Sequence, residues 1–331
     1  MSSAASKAVR LGVVGAGKIA VKHLEALQAV EGATVVGIAS RTKSGAQALA
    51  AQFSIPCVAD DMDGLIREAR PDALLLLVSV RSAFSVARAA LETGLPLFIE
   101  KPAGLVPEES GELARLARER GARTMVGYNR RYYSVFHQGL DIVKRHGPLL
   151  GVMIEGHERI DAVRATGKHS DDLLSAWLYA NATHTVDLLR FFGGEVSTLH
   201  CIAHRVREPR GDQFAAIMEL DSGALGEYSA HWLSPGGWRA VLYGRGVSVE
   251  FKPLETGRWT DSQGTVREIV PSTEDQRFKP GFHGQMRAFC DLVRGATPAW
   301  PLQDLEGAHR TMQLAERMAA PAAASIERAH A

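Results

Sequence analysis

An apolar strand-like run, Val9 to Val14, ends at Gly15-Ala16-Gly17 and passes at once into a helical pattern that begins Lys18-Ile19-Ala20. A strand, a glycine turn and a helix in immediate succession leave few architectures open. The helix carries the chain back along the sheet, so the next strand pairs in parallel. Ile19, His23, Leu24, Leu27 and Val30 recur at helical spacing, and further strand-like runs follow at Thr34 to Ala39, Asp72 to Val80, Leu95 to Glu100 and Thr124 to Tyr128. Helical stretches separate them, one opened by Pro107-Glu108-Glu109 and closed by Gly121. Such alternation predicts a doubly wound parallel sheet over residues 7–128.

Beyond residue 128 the texture changes. A helix from Tyr133 to His146 stops at Gly147-Pro148, and tight-turn signals then appear between short runs. Asp221-Ser222-Gly223 joins Ala215–Leu220 to Leu225–Trp232, and Gly244-Arg245-Gly246 joins Arg239–Tyr243 to Val247–Phe251. Both read as hairpins. With helices expected at Phe282–Val293 and Leu305–Met318, residues 129–331 are predicted to form an α+β domain with a large, mostly antiparallel open sheet. A chain of 331 residues, 46% hydrophobic, has the length for two cores.

The formal charge of +1, from 38 basic and 37 acidic residues spread along the chain, argues against nucleic-acid or anionic-membrane partners and for a small-molecule substrate. Cys57, Cys201 and Cys290 are isolated, which predicts neither a disulfide framework nor a metal site and points to a reducing, cytoplasmic setting. His200 and His204 share one face of a strand-like run but have no third ligand near them in sequence, so no metal is expected.

The glycine turn carries the first functional expectation. In Gly15-x-Gly17-x-x-Ala20, Gly15 permits the tight turn, Gly17 lets the backbone approach a pyrophosphate, and Ala20 is small enough for close helix–strand packing. The helix N-terminus, including Lys18 and Ile19, offers N–H groups and partial positive charge to phosphates. This is the fingerprint of a Rossmann dinucleotide site. At the end of the second strand, where a carboxylate would hold the ribose 2′-hydroxyl of NAD, the chain reads Ala39-Ser40-Arg41-Thr42-Lys43. Ser40 and Arg41 suit a 2′-phosphate, so NADP is preferred, with NAD as the alternative. At the strand end Leu95 to Glu100, Lys101 faces the cofactor side of such a sheet and is the leading candidate for proton transfer.

With this loop, Glu100-Lys101-Pro102, and Gly127-Tyr128-Asn129-Arg130-Arg131 after the next strand, the chain resembles the glucose-fructose oxidoreductase, inositol dehydrogenase and rhizopine-catabolism (Gfo/Idh/MocA) family along nearly its whole length. The resemblance implies hydride exchange between NAD(P) and a hydroxyl-bearing carbon of a sugar, cyclitol or nucleotide-linked sugar, and a homo-oligomer, dimer or tetramer. It implies Lys101 as catalytic lysine, Glu100 beside the nicotinamide ribose, Tyr128 and Asn129 near the nicotinamide and Tyr128 also beside the substrate, and His184 as the second catalytic group. Ser79, at the end of the third run, is expected to contribute cofactor contacts.

Two departures stand out. The family's aspartate four residues before the histidine is Ala180 here, leaving Asn181 as the substrate-binding neighbour of His184 and Asp187 as a group that would orient the imidazole. The family's Thr-Pro-Asn-x-x-His is replaced by Ser79-Val80-Arg81-Ser82-Ala83-Phe84. Two alternatives follow from them: a non-enzymatic NAD(P)-sensing regulator on the same fold, and a dehydrogenase of a non-sugar substrate such as a dihydrodiol or tetrapyrrole. The polar segment from Arg159 to Ser175 reads as a lid or a solvated loop, with Arg164 and Lys168 available to grip an anionic substrate in the first case.

Overall fold

The computed structural model describes residues 8–298 and 302–328, so the expected domain ends at residues 7 and 331 lie outside the described residues. Two compact units emerge.

The first holds six parallel strands: β1 (Val9–Val14), β2 (Ala33–Ala39), β3 (Val58–Ala59), β4 (Ala73–Leu76), β5 (Leu97–Ile99) and β6 (Thr124–Val126). Their order, β3-β2-β1-β4-β5-β6, is the doubly wound arrangement, with the direction of progression reversing between β1 and β4. Buried on both faces, β1, β4 and β5 are almost continuously apolar. The run read as Asp72 to Val80 divides: the strand stops at Leu76, and a helix, Val80–Leu91, begins where the apolar character had been taken to continue.

The first unit is not contiguous. It takes residues up to Asn129 and also Glu274–His309, where the sequence had placed one boundary at 128/129. The helix Phe282–Arg294 packs on the first crossover helix, Lys18–Leu27, and the backbone N–H of Val126 donates to the Gln303 carbonyl. Those returning residues cover apolar surface that a contiguous domain would leave open.

In the second unit, Arg130–Thr273 and the chain from Arg310 on, eight strands follow: β7 (Leu149–Gly156), β8 (Val196–His204), β9 (Gln213–Leu220), β10 (Leu225–His231), β11 (Trp238–Gly244), β12 (Val247–Phe251), β13 (Gly257–Asp261) and β14 (Val266–Ile269). Their order is β14-β13-β12-β11-β7-β10-β9-β8, and every neighbouring pair is antiparallel except β7 with β10. Both predicted hairpins, β9/β10 and β11/β12, are present. Along β9, Phe214, Ala216, Met218 and Leu220 point into the core while Ala215, Ile217 and Glu219 are exposed. The helices Ser134–His146 and Thr183–Gly193 pack on the sheet and share its core.

The polar segment before His184 contains two short helices, Ile160–Ala165 and Asp171–Ser175. Arg164 is committed there, donating to Asp171 at 2.5 Å and to the buried Glu208 at 2.6 Å. A buried carboxylate needs a cation, so this pairing replaces the expectation that Arg164 grips substrate.

Candidate active site

Within the first unit, a cavity of about 640 Å³ opens at the carboxyl ends of β1, β2 and β4. Gly15, Ala16, Gly17, Lys18 and Ile19 line it, together with Ser40, Arg41 and Thr42 from the second strand end and Leu77, Val78, Ser79 and Ser82 from the third. Seven of the residues singled out for cofactor contact, Gly15, Gly17, Lys18, Ile19, Ser40, Arg41 and Ser79, thus converge at the reversal point where such sheets bind dinucleotides.

The two glycines answer to different constraints. Gly15 has φ +114°, and a Cβ there would lie 2.6 Å from the Leu77 carbonyl carbon and closer still to its oxygen. The fold itself requires glycine at this turn. Gly17 has φ −83°, and no atom of the protein approaches within 4 Å of where its Cβ would project. Neither backbone conformation nor packing demands glycine there, and the space its Cβ would take is open. The helix it opens has no side-chain cap and no acidic residue in its first turn, so its leading N–H groups suit a pyrophosphate. Ala20 is fully buried in that helix and packs it onto the sheet.

At the end of β5 the Glu100 carboxylate is fixed on both oxygens. His23 Nε2 lies 2.8 Å from Oε1, and the Lys101 backbone N–H donates to Oε2 at 3.0 Å. His23 is wholly buried between Phe98 and Phe282. The backbone at Lys101 is therefore held by a carboxylate that is itself held from the glycine-loop helix, and Lys101 keeps a partly exposed side chain. His23 was read only as part of an apolar stripe; a polar ring within such a stripe is the signal that marked it. Tyr128 is 1% exposed and belongs to the apolar core of the unit, and Asn129 donates from Nδ2 to the Pro280 carbonyl at 3.0 Å. None of Glu100, Lys101, Tyr128 and Asn129 lines the 640 Å³ cavity.

In the second unit His184 is 5% exposed, one residue into the helix Thr183–Gly193. The preceding turn, Leu178–Ala182, is π-helical, so Ala180 and Asn181 do not continue the regular α register of His184. The His184 ring lies 6.0 Å from Trp238, and the Arg130 guanidinium stacks on Trp238 at 4.3 Å. Asn181 Nδ2 donates to Glu158 Oε1 at 2.6 Å. Burial pushes the Glu158 carboxyl above the usual carboxylate range, opposed by hydrogen bonding from Asn181, by the Trp238 and Trp177 indoles and by the Arg130 charge. Sequence reading missed Glu158 entirely: it sits in the irregular stretch after β7, in no motif.

Asp187 has another partner than the one expected. Arg131 forks onto both its oxygens at 2.7 and 2.8 Å, and the Thr311 hydroxyl donates at 2.9 Å. Both members of the ion pair are buried, so Asp187 neutralises Arg131 inside the core.

Residues 9–128 match the family model described as "Oxidoreductase family, NAD-binding Rossmann fold", and residues 150–250 match the GFO/IDH/MocA C-terminal domain. The chain belongs to the Gfo/Idh/MocA oxidoreductase family. As a member it is an NAD-binding oxidoreductase, and the sensing-regulator alternative gives way. Among its relatives, scyllo-inositol 2-dehydrogenase (NAD(+)) of Bacillus subtilis (strain 168) is 25% identical over 308 residues, covering 88% of each chain. Inositol 2-dehydrogenase 3 of Saccharopolyspora erythraea is 26% identical over 313 residues, again covering 88% of each. A dehydrogenase from Chromobacterium violaceum shares the fold with a TM-score of 0.82 at 20% identity, over 98% of both chains. Among the described residues no helix is long and apolar enough to cross a membrane.

Proposed function

We propose that this Gfo/Idh/MocA member is a dehydrogenase of a polyhydroxylated ring, a cyclitol or sugar, that prefers NADP. The observation that carries the reading is the cavity at the β1/β4 reversal, with a glycine at position 17 that neither backbone conformation nor packing requires. A bound nicotinamide cofactor supplies the hydride acceptor, or the donor in the reverse direction. Proton movement falls to the protein: Lys101 takes the hydroxyl proton in oxidation and returns it in reduction, and His184 is the second catalytic candidate. The clamp of His23 on Glu100 holds the Lys101 backbone in register for that task. Asn181 contributes a side-chain amide for the substrate hydroxyls.

The NADP preference is supported by the lining of the adenosine end of the cavity. Ser40, Arg41 and Thr42 form it, and none of the cavity-lining residues is acidic. A guanidinium recognises a phosphate bidentately, whereas a ribose 2′-hydroxyl is held by a carboxylate. The inositol dehydrogenases among the relatives favour the cyclitol class.

A homo-oligomer belongs to the same proposal. The strand face opposite the helices exposes Ile202, Ile217, Leu225 and Tyr243, more apolar surface than a solvated sheet needs. Light scattering reads the mass, and a monomer contradicts this part.

The test is turnover with scyllo-inositol and myo-inositol, followed by cofactor absorbance. Lys101→Met is expected to abolish turnover with cofactor affinity nearly intact. Undiminished activity in that variant removes Lys101 from the mechanism.

A further inference from the structure

Glu158 has no assigned role, yet its surroundings are those of a ligand contact. The register pairs Trp238 of β11 with Gly156 of β7, two residues before Glu158, so the carboxylate emerges beside that indole as the chain leaves the sheet. Gly156 itself is pressed against the His184 helix: a Cβ there would lie 2.9 Å from Thr185 Oγ1. Strand end, helix start and indole therefore form one wall carrying Glu158, Asn181, His184 and Arg130, all from the second unit.

Chemically the wall is a set of donors around one acceptor. Arg130 is a cation, and Asn181 and His184 offer N–H groups; Glu158 is half-buried, so a small ligand still reaches it. A carboxylate drawn partly out of water gains most from further hydrogen-bond donors, and ring hydroxyls are such donors.

We propose that Glu158 is a substrate-binding residue that accepts hydrogen bonds from the hydroxyls of a polyhydroxylated ring, supplying on this wall the carboxylate that Ala180 lacks. The inference rests on the polyol reading of the site and adds a residue and a specificity to it. Substrates with vicinal hydroxyls add donors to Glu158 beyond Asn181; analogues without the second hydroxyl forgo one of those hydrogen bonds.

The experiment uses Lys101→Met protein, full length and saturated with cofactor, so that binding is read without turnover. Calorimetric titration with scyllo-inositol and myo-inositol is compared in that background with and without Glu158→Gln. Glu158→Gln is expected to weaken binding on the order of 10-fold or more, because a charge-assisted hydrogen bond becomes a neutral one. Glu158→Asp should recover part of the loss. Binding to the parent should strengthen as pH rises through the titration of Glu158, and Glu158→Gln should flatten that dependence, a change that a merely structural role would not produce. Equal affinity in a folded Glu158→Gln variant overturns the inference. Should that variant not fold, pH-independent binding to the parent overturns it equally. Failure of both inositols to bind the parent sinks this inference and the polyol reading together, whereas continued turnover in Lys101→Met sinks only the assignment of Lys101.

Discussion

Replacing the two loop glycines one at a time separates what the fold needs from what the cofactor needs. At Gly15 an alanine must adopt φ +114° and place its Cβ against the Leu77 backbone, which no side-chain rotation relieves. Backbone strain of roughly 1–3 kcal/mol and overpacking of roughly 1–3 kcal/mol together give a destabilisation of about 2–6 kcal/mol. That is a large share of the roughly 5–15 kcal/mol by which a folded domain is stable. At Gly17 the arithmetic reverses. With φ −83° and no protein atom within 4 Å of the added methyl, alanine costs the fold nothing and restricts the unfolded chain, a gain of about 0.4–1 kcal/mol. The same methyl projects where the pyrophosphate must approach, so cofactor affinity should fall on the order of 10- to 100-fold. Urea unfolding without cofactor and fluorescence titration with NADPH and NADH read the two quantities separately. A Gly17→Ala protein that binds cofactor as tightly as wild type, or one that unfolds as readily as Gly15→Ala, refutes the assignment of this loop.

Other consequences can be measured independently. Arg131→Met removes the bidentate partner of Asp187 and leaves it Thr311 and the more distant Arg190, so urea unfolding should show a loss of about 1.5–3 kcal/mol; a loss below about 0.5 kcal/mol contradicts the role given to the pair. Glu158 has a folded-state pKa raised above its ordinary value near 4.5, so the folded protein holds its proton more tightly than the unfolded chain does. Stability from this group is present below pH 4.5 and is lost as pH rises through the raised value, so Glu158→Gln should gain on wild type in melting temperature across that interval. A difference that does not vary with pH contradicts the desolvation of this carboxyl. Arg41→Ala should lower the affinity for NADPH on the order of 10-fold while sparing NADH, through loss of the charged phosphate contact; an unchanged ratio removes Arg41 from cofactor choice.

Much of the first unit was legible because its signals are local. A strand that is apolar on both faces, a glycine turn and a helix stripe each lie within a dozen residues, and β1, β2 and the loop residues Gly15 to Ile19 fall where those patterns place them. Non-local features were not legible. The return of Glu274–His309 to the first unit depends on helix Phe282–Arg294 finding the Lys18–Leu27 helix, about which spacing says nothing. The two-residue β3 is too short for periodicity, and the parallel pairing of β7 with β10 lies outside any hairpin rule. Among the candidate residues, Lys101 and His184 stood out through motif context, whereas Glu158 acquires its character from burial and from the Asn181, Trp238, Trp177 and Arg130 neighbours that only the folded chain brings to it. Asp187 shows the converse: its position one turn after His184 suggested an orienting role, and a buried arginine from a different segment claimed its oxygens.

The most direct measurement is the fate of deuterium from scyllo-inositol labelled at its carbinol carbons, incubated with the protein and NADP+ or NAD+ and followed by mass spectrometry. One deuterium should appear on the nicotinamide for every ketone formed, and Lys101→Met should transfer none while still binding cofactor. Ketone without label on the cofactor, or label transfer at the wild-type rate in Lys101→Met, would contradict a dehydrogenase that moves its proton through Lys101.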